Sequence, residues 1–279
     1  VGALTVAVKV ATNDAVRAQA REQLQVGTRV FERLLDVRGR RLRDGVQLLA
    51  ADFGFRDAVS SGDSPTIRSA LQNQGARIGA TDMFVLGMDG RVLASTVDQV
   101  PTGSVFPYDT ALREARRTSQ SMLFVPLQGL PHLLVEAPVL APLPIARVVM
   151  GFSMDVTLAQ ELHSLTNLQV SFLTTEAGKV GTLVSTQPTE LSASISQWMQ
   201  VNESAAQHIS LSEHNDRTYL SQPLLLASSS GPEGGKVMAL LQSPLDEAMR
   251  AFVALDRNIF GIAFAALLAS LVGALLLAR

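Results

Sequence analysis

The chain has 279 residues, 47% hydrophobic and 17% charged, which suits one large or two small domains with a sizeable core. Lys and Arg number 23 against 25 Asp and Glu, a formal net charge of −2, so the basic excess of a nucleic-acid surface is missing. Cysteine is absent, which excludes disulfides, thiolate metal sites and cysteine nucleophiles.

Residues 1–12, VGALTVAVKVAT, are apolar apart from Lys9 but too short to cross a bilayer. They are expected to be the end of a truncated first transmembrane helix, so the chain reads as a piece of a longer protein. Over residues 13–52 apolar side chains recur at Val16, Ala20, Leu24, Val30, Phe31, Leu34, Leu35, Leu42, Val46 and Leu49. Spacings of three, four and seven predict one long helix, and its stripe could pack on its own domain or pair with a second copy. Ser64-Pro65 then reads as a helix start, with Ser at the cap and Pro in the first turn.

Strands dominate next. Residues 83–88 and 91–96 flank Asp89-Gly90, the strongest short hairpin signal. A short helix is expected over 108–117, followed by strands at 121–128, 132–141 and 146–155. Two strands, a helical segment and three antiparallel strands is the order of a PAS-like sheet. Asp155 is placed to cap a connecting helix over 157–165. The pattern then repeats: hairpin strands at 170–175 and 180–186, a helix at 189–201, and strands at 208–213, 217–227 and 236–243. FVLGMDGRVLAST and FLTTEAGKVGTLVST share an opening Phe, a Gly-basic-Val turn and a closing Ser-Thr. From Leu245 an uninterrupted helix pattern leads into IFGIAFAALLASLVGALLLA, residues 259–278, an uncharged run about 30 Å long and therefore a predicted transmembrane helix.

The expected fold class is thus α+β: a long N-terminal helix, two tandem PAS-like antiparallel-sheet halves and a C-terminal transmembrane helix. The expected division is 1–12, the end of the first membrane helix; 13–52, the signalling and dimer helix; 53–156, the first half; 157–244, the second half; and 245–279, the exit and membrane helix. A long helix, two successive PAS-like halves and a membrane helix together resemble the double Cache sensors of bacterial receptors. The stretch LLAADFGFRDAVSSGDSPTIRSALQNQGARIGATDMFVLGMDGRVLAST is similar to sensors that precede HAMP and GGDEF or GGDEF–EAL modules, which make or degrade cyclic di-GMP. The resemblance implies a periplasmic location for about residues 14–255, an inner-membrane anchor, a ligand-binding membrane-distal half, and a homodimer through the N-terminal helix. An amine-recognition pattern of that family, Tyr-x4-Arg-x-Trp-Tyr, is met only by Tyr108 and Arg113. Ala115 and Arg116 stand where Trp and Tyr belong, and the only tryptophan, Trp198, lies in the second half.

Catalytic signatures are missing. His132, His163, His208 and His214 lack the spacing of a zinc helix, and neither a nucleophile elbow nor a phosphate loop is present. No catalytic residue, metal or cofactor is expected. Glu136 interrupts an apolar strand on the same face as His132, and Arg147 opens the next strand. With Tyr108, Arg113 and Ser121 they form the candidate ligand-binding pool, because a pocket needs a few polar groups in an apolar concavity. The expected function is ligand sensing with transmission through the C-terminal helix, and the expected partners are a small molecule, the membrane and a second copy. The alternatives are a periplasmic protein-interaction module without a small-molecule ligand, and the sensor of a chemoreceptor or histidine kinase.

Overall fold

The computed structural model describes residues 2–118, 120, 122–176, 179–202, 208–228 and 235–246, with side chains from residue 14 onward. One helix, α1 (Gly2–Ala51), runs the length of the molecule, followed by α2 (Phe53–Ser60) and α3 (Ser64–Ile78). The first half then contains β1 (Asp82–Leu86), β2 (Val92–Ser95), α4 (Asp109–Arg117), β3 (Leu123–Leu127), β4 (Leu130–Leu140) and β5 (Pro144–Ser153). The second contains α5 (Val156–Thr166), β6 (Gln169–Glu176), β7 (Lys179–Ser185), α6 (Ser192–Val201), β8 (Ser210–His214), β9 (Arg217–Ser228) and β10 (Gly235–Pro244). Both halves form five-stranded antiparallel sheets of equivalent order, β2-β1-β5-β4-β3 and β7-β6-β10-β9-β8.

The sequence repeat is a structural repeat down to single hydrogen bonds. In the first hairpin the Thr96 hydroxyl accepts from the Met83 N–H at 2.9 Å, and the Thr96 N–H donates to the Met83 carbonyl at 3.0 Å. Thr186 makes the same pair with Val170, at 3.0 Å each. The preceding serines, Ser95 and Ser185, each accept from the backbone N–H two residues on. The repeated Ser-Thr therefore ends each hairpin by giving the backbone side-chain partners where the ladder stops.

The apolar stripe of α1 is used within the chain. Val16, Ala20, Leu24, Phe31 and Leu35 pack with α5 on the second sheet, while Val46, Leu49 and Ala50 pack with α2 and α3 on the first. Burying each large side chain contributes about 1.5–3 kcal/mol. An exposed ion pair such as Arg38–Glu161 adds at most about 1 kcal/mol, so packing fixes α1 to both sheets. Of the two uses open to the stripe, packing on its own domain takes most of it, while Val26, Val30, Val37 and Leu48 of α1 remain exposed. The opposite face of each sheet carries a separate core, around Phe84, Phe106 and Leu112 in the first half and around Leu173, Ile195 and Met199 in the second.

Local chemistry sets three helix starts. The long helix stops at Asp52, whose extended backbone and side-chain bond to the Phe55 N–H at 2.9 Å begin α2 as a separate helix. Asp63, one residue before the expected Ser64, caps α3, and Pro65 occupies its first turn as expected. Asp155 caps α5 through the Leu158 N–H at 3.0 Å. The predicted membrane helix at 259–278 and the exit helix beyond residue 246 lie outside the described residues; among those described, no helix is long and apolar enough to cross a membrane.

The β3–β4 hairpin joins the halves. The carbonyl of Gly129 at its turn accepts from the Thr174 hydroxyl at 2.7 Å and the Thr182 N–H at 3.1 Å, both in the second sheet. Two glycines make the approach possible. A Cβ at Gly181 would stand 2.3 Å from Thr174 Oγ1 and 3.1 Å from the Gly129 carbonyl oxygen; one at Gly235 would stand 2.2 Å from Pro126 Cγ. Gly181→Val is therefore expected to lower stability by about 1–3 kcal/mol through overpacking at this junction, read from urea unfolding. An unchanged midpoint would show that the hairpin is not seated there.

Candidate functional site

A cavity of about 320 Å³ opens beside β4 beyond the point where β3 stops. Its floor is Leu134, Glu136 and Pro138 of β4 with Arg147 of β5. Alternation puts these β4 residues on one face, and register sets Pro138 opposite Arg147. Leu112, Ala115 and Arg116 of α4 form one wall, and Arg43 and Gln47 of α1 another.

Arg147 sits at the centre of the charge arrangement and is only 2% exposed. Its Nη1 donates to Glu136 Oε1 at 2.9 Å, and its Nη2 donates to Asp109 Oδ1 and to the Gly87 carbonyl at 3.3 Å. Asp109, the first residue of α4, also receives Arg113 Nε at 2.7 Å; Arg113 reaches the Met88 carbonyl at 3.0 Å as well. Arg116 stands 3.4 Å from Glu136 Oε1. Burial works to raise the Asp109 carboxyl, but the bonds from Arg147 and Arg113 outweigh it and hold the group below the usual carboxylate range. Burial likewise works to lower the Arg147 guanidinium, and the two carboxylates outweigh it and push it up. The floor thus carries fixed, ionised groups inside an apolar frame.

Of the candidate residues, Glu136 and Arg147 line the cavity. Arg113 stands behind them, joined through Asp109. The other two described candidates are used elsewhere. The Tyr108 hydroxyl donates to the Pro126 carbonyl and its ring packs near Phe106 in the core. His132 lies at the far end of β4, where Nε2 meets Asp82 Oδ2 at 2.8 Å and Nδ1 meets the Leu130 carbonyl at 3.0 Å. It anchors the β3–β4 turn to β1 rather than facing the cavity, because period two gives it the same side as Glu136 but four residues away. Burial works to raise Asp82, yet the bonds from His132 and Thr81 prevail and lower it. Ser121 lies outside the described residues. Sequence reasoning missed Arg43, Gln47 and Gln120. Arg116 had a signal: it lies one turn beyond Leu112 on α4.

The corresponding face of the second half carries a buried polar cluster. Gln242 Nε2 lies 3.1 Å from Ser212 Oγ, 2.9 Å from Ser221 Oγ and 3.1 Å from His214 Nε2. Gln187 donates to the Gln242 amide oxygen. The His214 ring packs between Trp198 and Tyr219. His214 is 1% exposed, and burial lowers its pKa from the ordinary 6.5.

Two outcomes follow from these groups. Asp109→Ala removes one of two carboxylates from a buried guanidinium and is expected to cost about 3–5 kcal/mol of stability, read from urea unfolding. A loss below about 1 kcal/mol would contradict the anchoring role. For His214, the unfolded state takes up a proton before the folded state does, so its effect is nil above pH 6.5 and stability falls as pH drops below it. The unfolding midpoint is expected to decline more steeply from pH 7.5 to 5.5 in the native chain than in His214→Gln; parallel declines would contradict this.

Comparison with known proteins places these features in a family. The family model dCache_3, described as the double sensory domain of two-component sensor kinase, matches residues 17–248. Among curated proteins no sequence matches. The Vibrio cholerae LuxQ periplasmic domain is 13% identical, with a TM-score of 0.46, and the match covers 81% of this chain and 99% of that one. The V. cholerae histidine kinase DctB sensor domain is 17% identical over 83% of this chain and 98% of that one, with a TM-score of 0.44. The ligand-binding domain of the Pseudomonas aeruginosa PAO1 amino acid chemoreceptor PctB, in complex with L-Arg, is 17% identical over 86% and 92%, with a TM-score of 0.47. With a family model spanning most of its length, a repeated five-stranded sheet and a long spine helix, the chain belongs to the double Cache sensory domains, a sensory rather than a catalytic family.

Proposed function

We propose that the chain is the ligand-sensing region of a bacterial transmembrane receptor, held in the periplasm and binding a small solute in the first-half cavity. The observation that carries this reading is the continuity of β4. Glu136 on the cavity floor and the Gly129 turn seated on the second sheet belong to one hairpin. A solute that favours one position of Glu136 and α4 shifts the population of hairpin positions, by no more than its differential affinity for them. The second half receives that shift and passes it to β10 and on toward residues 259–278, the proposed inner-membrane helix. The family description favours a sensor kinase as the output. The cyclic di-GMP module suggested by the sequence resemblance is the competing output, and the coding sequence after Arg279 tells the two apart. A dimer through α1 could use the exposed Val26, Val30, Val37 and Leu48.

A thermal-shift screen of metabolites against the full chain tests the sensing role. At a hundredfold excess over Kd a ligand stabilises the folded state by about 2.7 kcal/mol, so at least one solute is expected to raise the Tm by several degrees. Ala115→Phe, which projects a ring into the cavity, is expected to abolish that shift. Silence across the screen, with stoichiometric capture of a periplasmic protein, would overturn this reading for the interaction-module alternative.

A further inference from the structure

We propose that the first-half cavity takes a small organic carboxylate, bound at its mouth by Arg43 and Arg116; this rests on the sensing reading above. Six charged groups surround the cavity: the cations Arg43, Arg113, Arg116 and Arg147, and the anions Asp109 and Glu136. Two of the cations are committed. Arg147 spends its Nη atoms on both carboxylates, and Arg113 spends its Nε on Asp109.

The other two are not. Arg116 has a single 3.4 Å approach to Glu136, and half of its side chain is exposed. Arg43 donates to the Gln120 carbonyl at 2.6 Å and has no carboxylate partner among the described residues. Each guanidinium presents five N–H donors in a planar fork, and the group that satisfies two such forks in one concavity is an anion, most economically a carboxylate. A cationic solute would meet three arginines against one carboxylate in the lining, and Glu136 Oε1 is already held by Arg147.

The remaining lining sets the size and character of the solute. Leu112, Leu123 and Leu134 supply apolar surface and Gln47 a neutral polar group. About 320 Å³ is at the small end of ligand pockets. Apolar surface beside the arginines suits an organic acid with a short hydrocarbon body better than inorganic phosphate. Arg147 adds an independent sign: it is almost fully buried, lines the cavity, and its Nε has no hydrogen-bond partner among the described residues.

The test is calorimetric titration and thermal shift of the full chain in detergent. The probes are acetate, pyruvate and succinate, their neutral amides, inorganic phosphate, and putrescine. A carboxylate is expected to bind and its amide to fail. Arg43→Gln and Arg116→Gln are each expected to weaken that binding about tenfold, against the ligand-free Tm of the same variant, and Arg116→Lys to recover part of it. Binding of amides or putrescine as tightly as carboxylates would overturn the anion assignment while leaving the sensing role standing. Binding of phosphate alone would overturn the carboxylate choice. Carboxylate binding untouched by either arginine variant would overturn the proposed site. No binding by any probe, together with a silent metabolite screen, would bring down the sensing reading itself.

Discussion

A guanidinium under a sheet cannot be left unpaired. Its desolvation costs several kcal/mol, so its presence obliges the surrounding chain to deliver carboxylates and carbonyls to it. Arg147 imposes that obligation on three separate elements. It pins Asp109, and with it the start of α4; it pins Gly87, and with it the turn after β1; and it pins Glu136 on the neighbouring strand. Apolar packing of Phe106, Leu112 and Leu134 closes the same face. The α4 wall and the β4 floor are thereby held at a fixed separation, and the cavity is the space left between them.

The second half shows the same architecture under a different constraint. Its equivalent face holds Gln242 with two serines and His214, a buried polar cluster joined by hydrogen bonds, in which His214 Nδ1 and Gln187 Oε1 have no partner among the described residues. The repeated topology therefore carries two unlike interiors: one lined by ion pairs beside a cavity, one by a buried cluster of amides, hydroxyls and an imidazole. This division of labour suits a pair of halves in which one receives a solute and the other responds to its neighbour. The Gly129 turn is the physical connection. Its partners Thr174 and Thr182 come from the strands of the second hairpin, and Gly181 and Gly235 let it come close.

Much of the fold was legible because its signals are local. Asp89-Gly90, the alternation along residues 132–141 and the twice-written Ser-Thr each describe a structure made by neighbours in sequence. The end of the long helix at Asp52 was legible, but α2, which that residue caps, was not, because eight residues are too few to show a helical period. The site was only partly legible. Glu136 and Arg147 stood out as charges inside apolar strands, and both line the cavity. Tyr108 and His132 carried the same kind of signal but are committed to the Pro126 carbonyl and to Asp82, contacts set by tertiary packing. Arg43 was invisible for the opposite reason. It is one arginine among many on a long polar-faced helix, and only the passage of α1 along the open edge of β4 brings it to the cavity.

The central claim is that a solute in the first half is felt at the Gly129 turn. Hydrogen exchange at the Thr182 amide, whose N–H is shared between the Gly129 carbonyl and Thr174 Oγ1 at 3.1 Å each, reads that junction. Saturating the cavity is expected to change the protection of Thr182 along with that of α4 and β4. A change confined to the cavity walls, with Thr182 unaltered, would contradict transmission through the hairpin.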